Sequence, residues 1–268
     1  MSLLVKWAGR SLPSPEIVFF RSLIGVLMVM ILMARKRVSF LGGNKKLLCL
    51  RGISGFIALI LFFHTLVRLP VGTAVLINYT APIFAALFGI ILLGERPGPF
   101  LCSMILVSFA GVYLLIGPQA IENGSAVILG LISAVFAAVA YVSMRAIRRG
   151  ESPLTVMFYF TGVSTVGSAF YLPMGFVWPS AEIWLALIGI GIMSFYGQLW
   201  MTISMRRAAA VLVTPFAYAT PLFSFLLGWI FLGEQLSQTS LWGACLIILS
   251  GSLISVFETK KKTRPPAG

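Results

Sequence analysis

The run "PIFAALFGIILLGE" occupies residues 82–95, and "PLFSFLLGWIFLGE" occupies residues 221–234. Eight of their fourteen aligned positions are identical: Pro, Phe, Leu, Gly, Ile, Leu, Gly and Glu. The two runs lie 139 residues apart. A proline-started, glutamate-ended apolar run that occurs twice in one chain points to an internal repeat, and the rest of the sequence can be read outward from it.

The solvent of the fold comes next. The chain has 268 residues, 59% of them hydrophobic and only 10% charged, with a mean hydropathy of +1.00. An ordinary soluble domain carries about 25% charged residues. Too few polar groups remain to cover a water-facing surface, so lipid must surround most of the chain. Continuous apolar stretches at 99–117, 183–205 and 239–257 approach the ~20 residues that cross a bilayer as a helix. They do not alternate, which favours helices over a β-barrel. The fold class expected is therefore an all-α integral membrane bundle. The net charge of +13 does not signal nucleic acid, because the basic residues fall in short bursts between apolar segments and not on one face. Cys49, Cys102 and Cys245 sit inside apolar segments without metal-ligand spacing and read as buried small hydrophobes.

Nine spans are predicted, at 16–34, 47–68, 72–93, 99–117, 125–145, 154–172, 183–205, 210–232 and 239–257. Short connections make neighbours antiparallel. With the tail "KKKTR" (260–264) placed in the cytoplasm, the loops on that side, Arg51 included, hold sixteen of the twenty basic residues. Lys6, Arg10, Arg21 and Arg68 remain. That asymmetry supports a multi-pass protein of a cell membrane, with the bacterial inner membrane expected, and a cytoplasmic C-terminus.

The repeat extends beyond the opening runs. At the same offset Arg68 matches Arg207, Tyr79 matches Tyr218 and Gly89 matches Gly228. The second unit, 118–258, holds five spans. The first, 1–117, holds four, and residues 1–10 align with the end of a fifth, so the first helix is expected to be truncated. Residues 259–268 form a basic tail. A five-span unit repeated in tandem must lie inverted relative to its partner, an arrangement common in secondary transporters.

On these features the chain resembles the drug/metabolite transporter superfamily, specifically its EamA-like members. The two "P-x-F…LGE" endings carry the resemblance, with "EIVFFRS" at 16–22 and "RGISGF" at 51–56. The resemblance implies ten spans in two inverted halves around a central cavity, and this chain departs from it by lacking most of the first span. It also implies a secondary transporter of small organic metabolites or drugs that works by alternating access, with export expected.

Candidate site residues follow from what lipid penalises. Pro82 and Pro221 each remove a mid-helix hydrogen bond, and matching interruptions in two halves point to a hinge beside a central site. Glu95 and Glu234 end their runs and read as gate or ion-pair groups. Glu16 and Arg21 are close enough along one helix to pair, or to bind an anionic substrate group; snorkelling of Arg21 and Arg51 to headgroups is the plainer expectation. Substrate-binding candidates are Asn78 and Tyr79, one turn before Pro82, and Tyr218 at the matching place. His64, Tyr141, Tyr196, Gln198 and Trp200 complete the set. Apolar walls with a few directed polar groups suit a small organic solute. The competing roles are interhelical hydrogen bonding for the amides and interfacial anchoring for Tyr and Trp. Gly52/Gly55, Gly189/Gly191 and Ala85/Gly89 should let helices approach closely.

No Asp occurs, and the seven Glu fall at or near span ends, so no carboxylate sits at mid-depth to carry a coupling proton. No metal, cofactor or nucleophile motif is present, and no enzyme activity is expected. The expected partners are a small-molecule substrate and the lipid bilayer, without nucleic acid; a homodimer remains open. The alternative function is a non-transporting helical subunit or receptor.

Overall fold

A computed structural model describes residues 1–93, 99–116, 119–147, 151–207, 219–234 and 237–263. Helices account for nearly all of them. They are α1 (Ser2–Ala8), α2 (Ser14–Lys36), α3 (Lys45–Arg68), α4 (Val71–Asn78), α5 (Ala81–Leu93), α6 (Pro99–Ile116), α7 (Gln119–Ile147), α8 (Pro153–Ala169), α9 (Ala181–Arg207), α10 (Ala219–Leu232) and α11 (Gln238–Thr263). A short 3₁₀ turn, Leu172–Met174, follows α8. The protein is an all-α membrane bundle.

Among the described residues, four helices are long and apolar enough to cross a bilayer: Ser14–Lys36, Lys45–Arg68, Asn123–Met144 and Ala181–Ile203. The remaining predicted spans appear as shorter or interrupted helices. The clearest interruption divides the predicted span 72–93 into α4 and α5 at Tyr79 and Thr80. Pro82 lacks the N–H that would bond back to Asn78 across the gap. The chain turns there instead, with Thr80 N–H donating to the Ile77 carbonyl at 3.1 Å and Thr80 Oγ1 to the same oxygen at 2.7 Å. Asn123, with φ −135° and ψ 42°, makes a second break near the start of α7. Pro221 lies in the first turn of α10 as described; the residues before it, 208–218, are outside the described residues.

Packing follows a regular pattern. α3 lies against α7 and α8, and α2 against α8 and α9, while α4 meets α10 and α6 meets α11. α1, though seven residues long, packs on α9. Helix ends recur 139 residues apart: Ala8 and Ile147, Arg68 and Arg207, Leu93 and Leu232, with the starts Pro99 and Gln238. One large core, from Val5 to Ile247, collects side chains from nearly every helix. The outside is apolar too. Leu106, Leu185, Phe231 and Trp242 are each at least 65% exposed, as expected where lipid replaces water. Cys49, Cys102 and Cys245 also lie on this surface as free thiols, not in the core as the sequence suggested, because an apolar span has a lipid face as well as a packed one.

Many hydroxyl groups are satisfied locally. Thr161, Thr165, Thr202 and Ser143 each donate to the carbonyl four residues back, the usual solution in hydrocarbon. A few bonds cross between helices: Ser133 to the Ala58 carbonyl at 2.7 Å, and Ser108 to Ser250 at 2.7 Å. Small residues set the closest approaches. A Cβ at Gly243 would lie 2.5 Å from the Leu115 nitrogen and 2.6 Å from the Gly111 oxygen. These are backbone atoms, which cannot swing aside. At Gly52 a Cβ would meet the Tyr159 carbonyl at 3.0 Å, and at Gly191 it would meet Ile24 at 2.7 Å.

Gly243→Ala is therefore expected to force α6 and α11 apart and destabilise the bundle by about 1–3 kcal/mol. Gly162, with nothing within 4 Å of a built Cβ, should accept Ala at no loss. Thermal unfolding of the two variants in the same detergent, each against the parent, makes the comparison.

Candidate functional site

Arg21 enters α2 two turns from its start, and Arg51 enters α3 nearly two turns from its start. Neither snorkels outward. Both are buried, at 5% and 6% exposure. Their guanidinium carbons lie over the same ring, that of Phe160, at 5.6 and 4.6 Å from its centroid, and Arg21 also lies 5.8 Å from the centre of Phe63. Phe160 is the eighth of the seventeen residues of α8, so both charges converge near mid-bundle. Gly55, one turn after Arg51, makes room for this. A Cβ there would stand 2.2 Å from Arg51 Nη1 and 2.8 Å from the Phe160 ring.

Among the described residues, Nε and Nη1 of both arginines have no hydrogen-bond partner, and neither forms an ion pair. Cation–π contact contributes about 0.5–2 kcal/mol per pair. An unpaired charge in a bundle interior costs at least several kcal/mol. The rings therefore do not offset the burial of two like charges that also repel each other. Tyr141, partly buried against Ala58, Ala81, Ala134 and Ala137, lies within electrostatic reach of Arg51 and of Tyr79.

The repeated "LGE" motif has its own geometry. Gly233, at φ +64°, ends α10 in the left-handed conformation that suits glycine, and Glu234 N–H then bonds back to the Gly228 carbonyl at 3.2 Å. A Cβ on Gly228 would sit 2.5 Å from Glu234 Oε2, so that glycine leaves space for the carboxylate to turn inward. Glu234 Oε2 accepts the Val71 N–H at 2.8 Å, and Oε1 lies 3.3 Å from Lys6 Nζ. Lys6 also donates to the Leu69 carbonyl. One side chain from just beyond α10 thus caps the buried N-terminus of α4 and holds a cation from α1.

With this geometry in view, comparison with known proteins places the chain. The signature of the EamA-like transporter family matches residues 1–117 and again 124–256. The chain belongs to the EamA-like transporter family. It is a membrane transporter of small metabolites and not an enzyme. Among its EamA relatives, the pseudopaline exporter CntI of Pseudomonas aeruginosa is 32% identical over 97% of this chain and 92% of that protein. A riboflavin transporter of Rhizobium johnstonii is 26% identical over 75% and 67% of the two chains. A crystal structure at 22% identity aligns with a TM-score of 0.70, covering 98% of this chain and 96% of that one, and shows the shared fold.

The structure distributes the other candidates of this EamA chain unevenly. Tyr79 forms a side-chain hydrogen bond with Thr220, joining the α4–α5 break to α10. Asn78 Oδ1 lies 3.5 Å from the Ser133 hydroxyl on α7, whose proton goes to the Ala58 carbonyl. His64 is half-buried on α3, and Gln198 is half-buried on α9, where its carbonyl accepts from Thr202 at 2.7 Å. Tyr196 and Trp200 are exposed, at 49% and 64%, in a stripe with Met193, and so stand apart from the buried arginines. Glu16 and Arg21 do not pair. Glu16 Oε2 instead accepts the Val177 N–H at 3.2 Å, because Arg21 turns toward α3 and α8. Glu95 and Tyr218 lie outside the described residues. That Arg51 is buried was missed; its signal was a charge about a turn inside an apolar span with glycine one turn on.

Gly55→Ala should push the Arg51 guanidinium from its place beside Phe160. Modification of Arg51 by phenylglyoxal, followed by mass spectrometry of the digest, is expected to speed up several-fold, with Gly162→Ala unchanged from the parent.

Proposed function

We propose that the protein exports small organic solutes by alternating access between two inverted halves, residues 1–117 and 118–258. The membrane is a bacterial inner membrane, with the basic tail, 259–268, in the cytoplasm. The observation that carries this reading is the packing pattern. Exchange α1 for α7, α2 for α8, α3 for α9, α4 and α5 for α10, and α6 for α11. The pair α3–α7 becomes α9–α1, and α3–α8 becomes α9–α2. The pairs α2–α8, α4–α10 and α6–α11 map onto themselves. A bundle built this way has a pseudo-two-fold relation between halves, and an odd number of helices per half turns one copy over. The coincident helix ends support the same relation.

The Glu234 contact gives this reading a gate. It ties α10 of one half to α1 and α4 of the other through Lys6, Leu69 and Val71. At the repeat offset Lys6 corresponds to Arg145 and Glu234 to Glu95. The same charges are thus available at the other membrane face, so each closure can replace its counterpart as the halves rock. The α4–α5 break at Pro82, with Pro221 at the matching position, supplies the flexing members. That the CntI relative is named an exporter supports the outward direction.

An untargeted comparison of metabolites inside and outside cells tests the whole reading. Cells making the protein should deplete a small set of solutes internally and enrich them in the medium. Joint Pro82→Ala and Pro221→Ala substitution should reduce that flux about tenfold or more, and identical profiles with and without the protein would refute transport. The gate is tested separately. Lys6→Glu or Glu234→Lys alone should raise the labelling rate of a cysteine introduced at Leu69, and the two together should restore protection. For the topology, impermeant reagents should label cysteines at 118–124 and at 145–153 from opposite sides. Labelling from one side would remove the inversion.

A further inference from the structure

We propose that Arg21 and Arg51, gathered over Phe160, form the binding centre for the carboxylate of a small organic acid, which makes organic anions the substrate class of this transporter. The inference rests on the transporter reading above and adds the chemistry of the cargo to it.

Three observations carry it. First, the two guanidinium groups are about 95% buried and carry free N–H donors among the described residues. A guanidinium presents its donors in a planar fork that matches the two oxygens of a carboxylate. No protein carboxylate among the described residues occupies that role: Glu16 is held by Val177, Glu151 accepts from the Gly43 and Asn44 amides, Glu182 is exposed in the first turn of α9, and Glu234 faces Lys6. Second, both charges lie within 5.6 Å of one ring centre, so their guanidinium carbons are at most about 11 Å apart. That span is one a small dicarboxylate such as succinate can bridge, one carboxylate to each guanidinium. Third, the position is central. Arg21 and Phe160 are equivalent residues of the two repeats, 139 apart, and they meet where α2 crosses α8, a pair that maps onto itself when the halves are exchanged. A site on that axis is accessible from either face in turn. Ser22 and Ser164, on the same two helices, also have buried hydroxyls without partners among the described residues.

The cluster departs from a structural ion pair in a way that can be measured. A structural pair stabilises the protein on its own. A binding centre with its anion absent holds two repelling charges, and the protein gains stability when the anion arrives. The full chain, purified in phosphatidylcholine nanodiscs, is heated with citrate, succinate or inorganic phosphate, and with the neutral succinamide, at ionic strength matched by chloride. A carboxylate at saturating concentration should raise Tm by about 5 °C or more, with succinamide inert. Arg51→Met should abolish the shift while leaving the anion-free Tm equal to or above that of the parent. Arg51→Lys, which keeps the charge but loses the fork, should fold equally well and retain only part of the shift. The proposal is overturned if neither carboxylate shifts Tm, if phosphate shifts it more than both, or if the shift survives in Arg51→Met and Arg51→Lys alike. It is also overturned if Arg51→Met lowers the anion-free Tm, which would mark Arg51 as a structural pin. Proteoliposome flux separates the two readings: carboxylates that bind without crossing would leave the site standing and refute transport, whereas efflux confined to cations would leave transport standing and refute the anion site.

Discussion

Hydrocarbon offers no hydrogen bonds, and most of this architecture follows from that. Every peptide group must find its partner within the protein, so the chain is helical almost throughout. Many hydroxyl groups turn back to their own helix or reach a neighbour, as Ser133 does to Ala58. Wherever the ladder is interrupted, something must replace the lost bond. At Tyr79–Thr80 the replacement is a local turn and a bond from Tyr79 to Thr220. At the start of α4 it is the Glu234 carboxylate from another helix. The interruptions are therefore also the places where distant parts of the chain are joined.

The same constraint ranks the charged residues. Most of the described basic groups, Arg35, Lys36, Lys45 and Arg68 among them, sit at helix ends, where water and headgroups can solvate them. Lys6 enters the bundle and meets Glu234 and the Leu69 carbonyl. Arg21 and Arg51 enter it and meet aromatic faces alone among the described residues. The first arrangement ties helices together. The second stores unfavourable electrostatic energy, and proteins retain such energy chiefly at functional sites.

Much of the fold was legible because the deciding signals are local. Apolar stretches give spans, Pro82 announces the break that precedes it, and glycines at 52 and 191 mark tight crossings. The repeat was legible from the two "LGE" endings, although the reason for the glutamate was not. Its carboxylate caps a helix that lies 163 residues away in sequence, and no local pattern encodes such a partner. The pairing expected of Glu16 and Arg21 failed for a related reason. Separation along one helix allows a contact, but the direction of the Arg21 side chain is set by Phe63 and Phe160, which come from α3 and α8. Arg51 was passed over because a charge near a span end usually snorkels; only the space above Gly55 shows that it turns inward instead.

Gene duplication would leave like facing like across the axis where α2 and α8 cross. Here the matched positions have diverged, one to a cation and the other to a benzene ring. Were a solute held between them, as proposed, it would meet unlike neighbours on its two flanks. A scaffold of matched halves that opened both ways would then still not read its contents the same way in both directions.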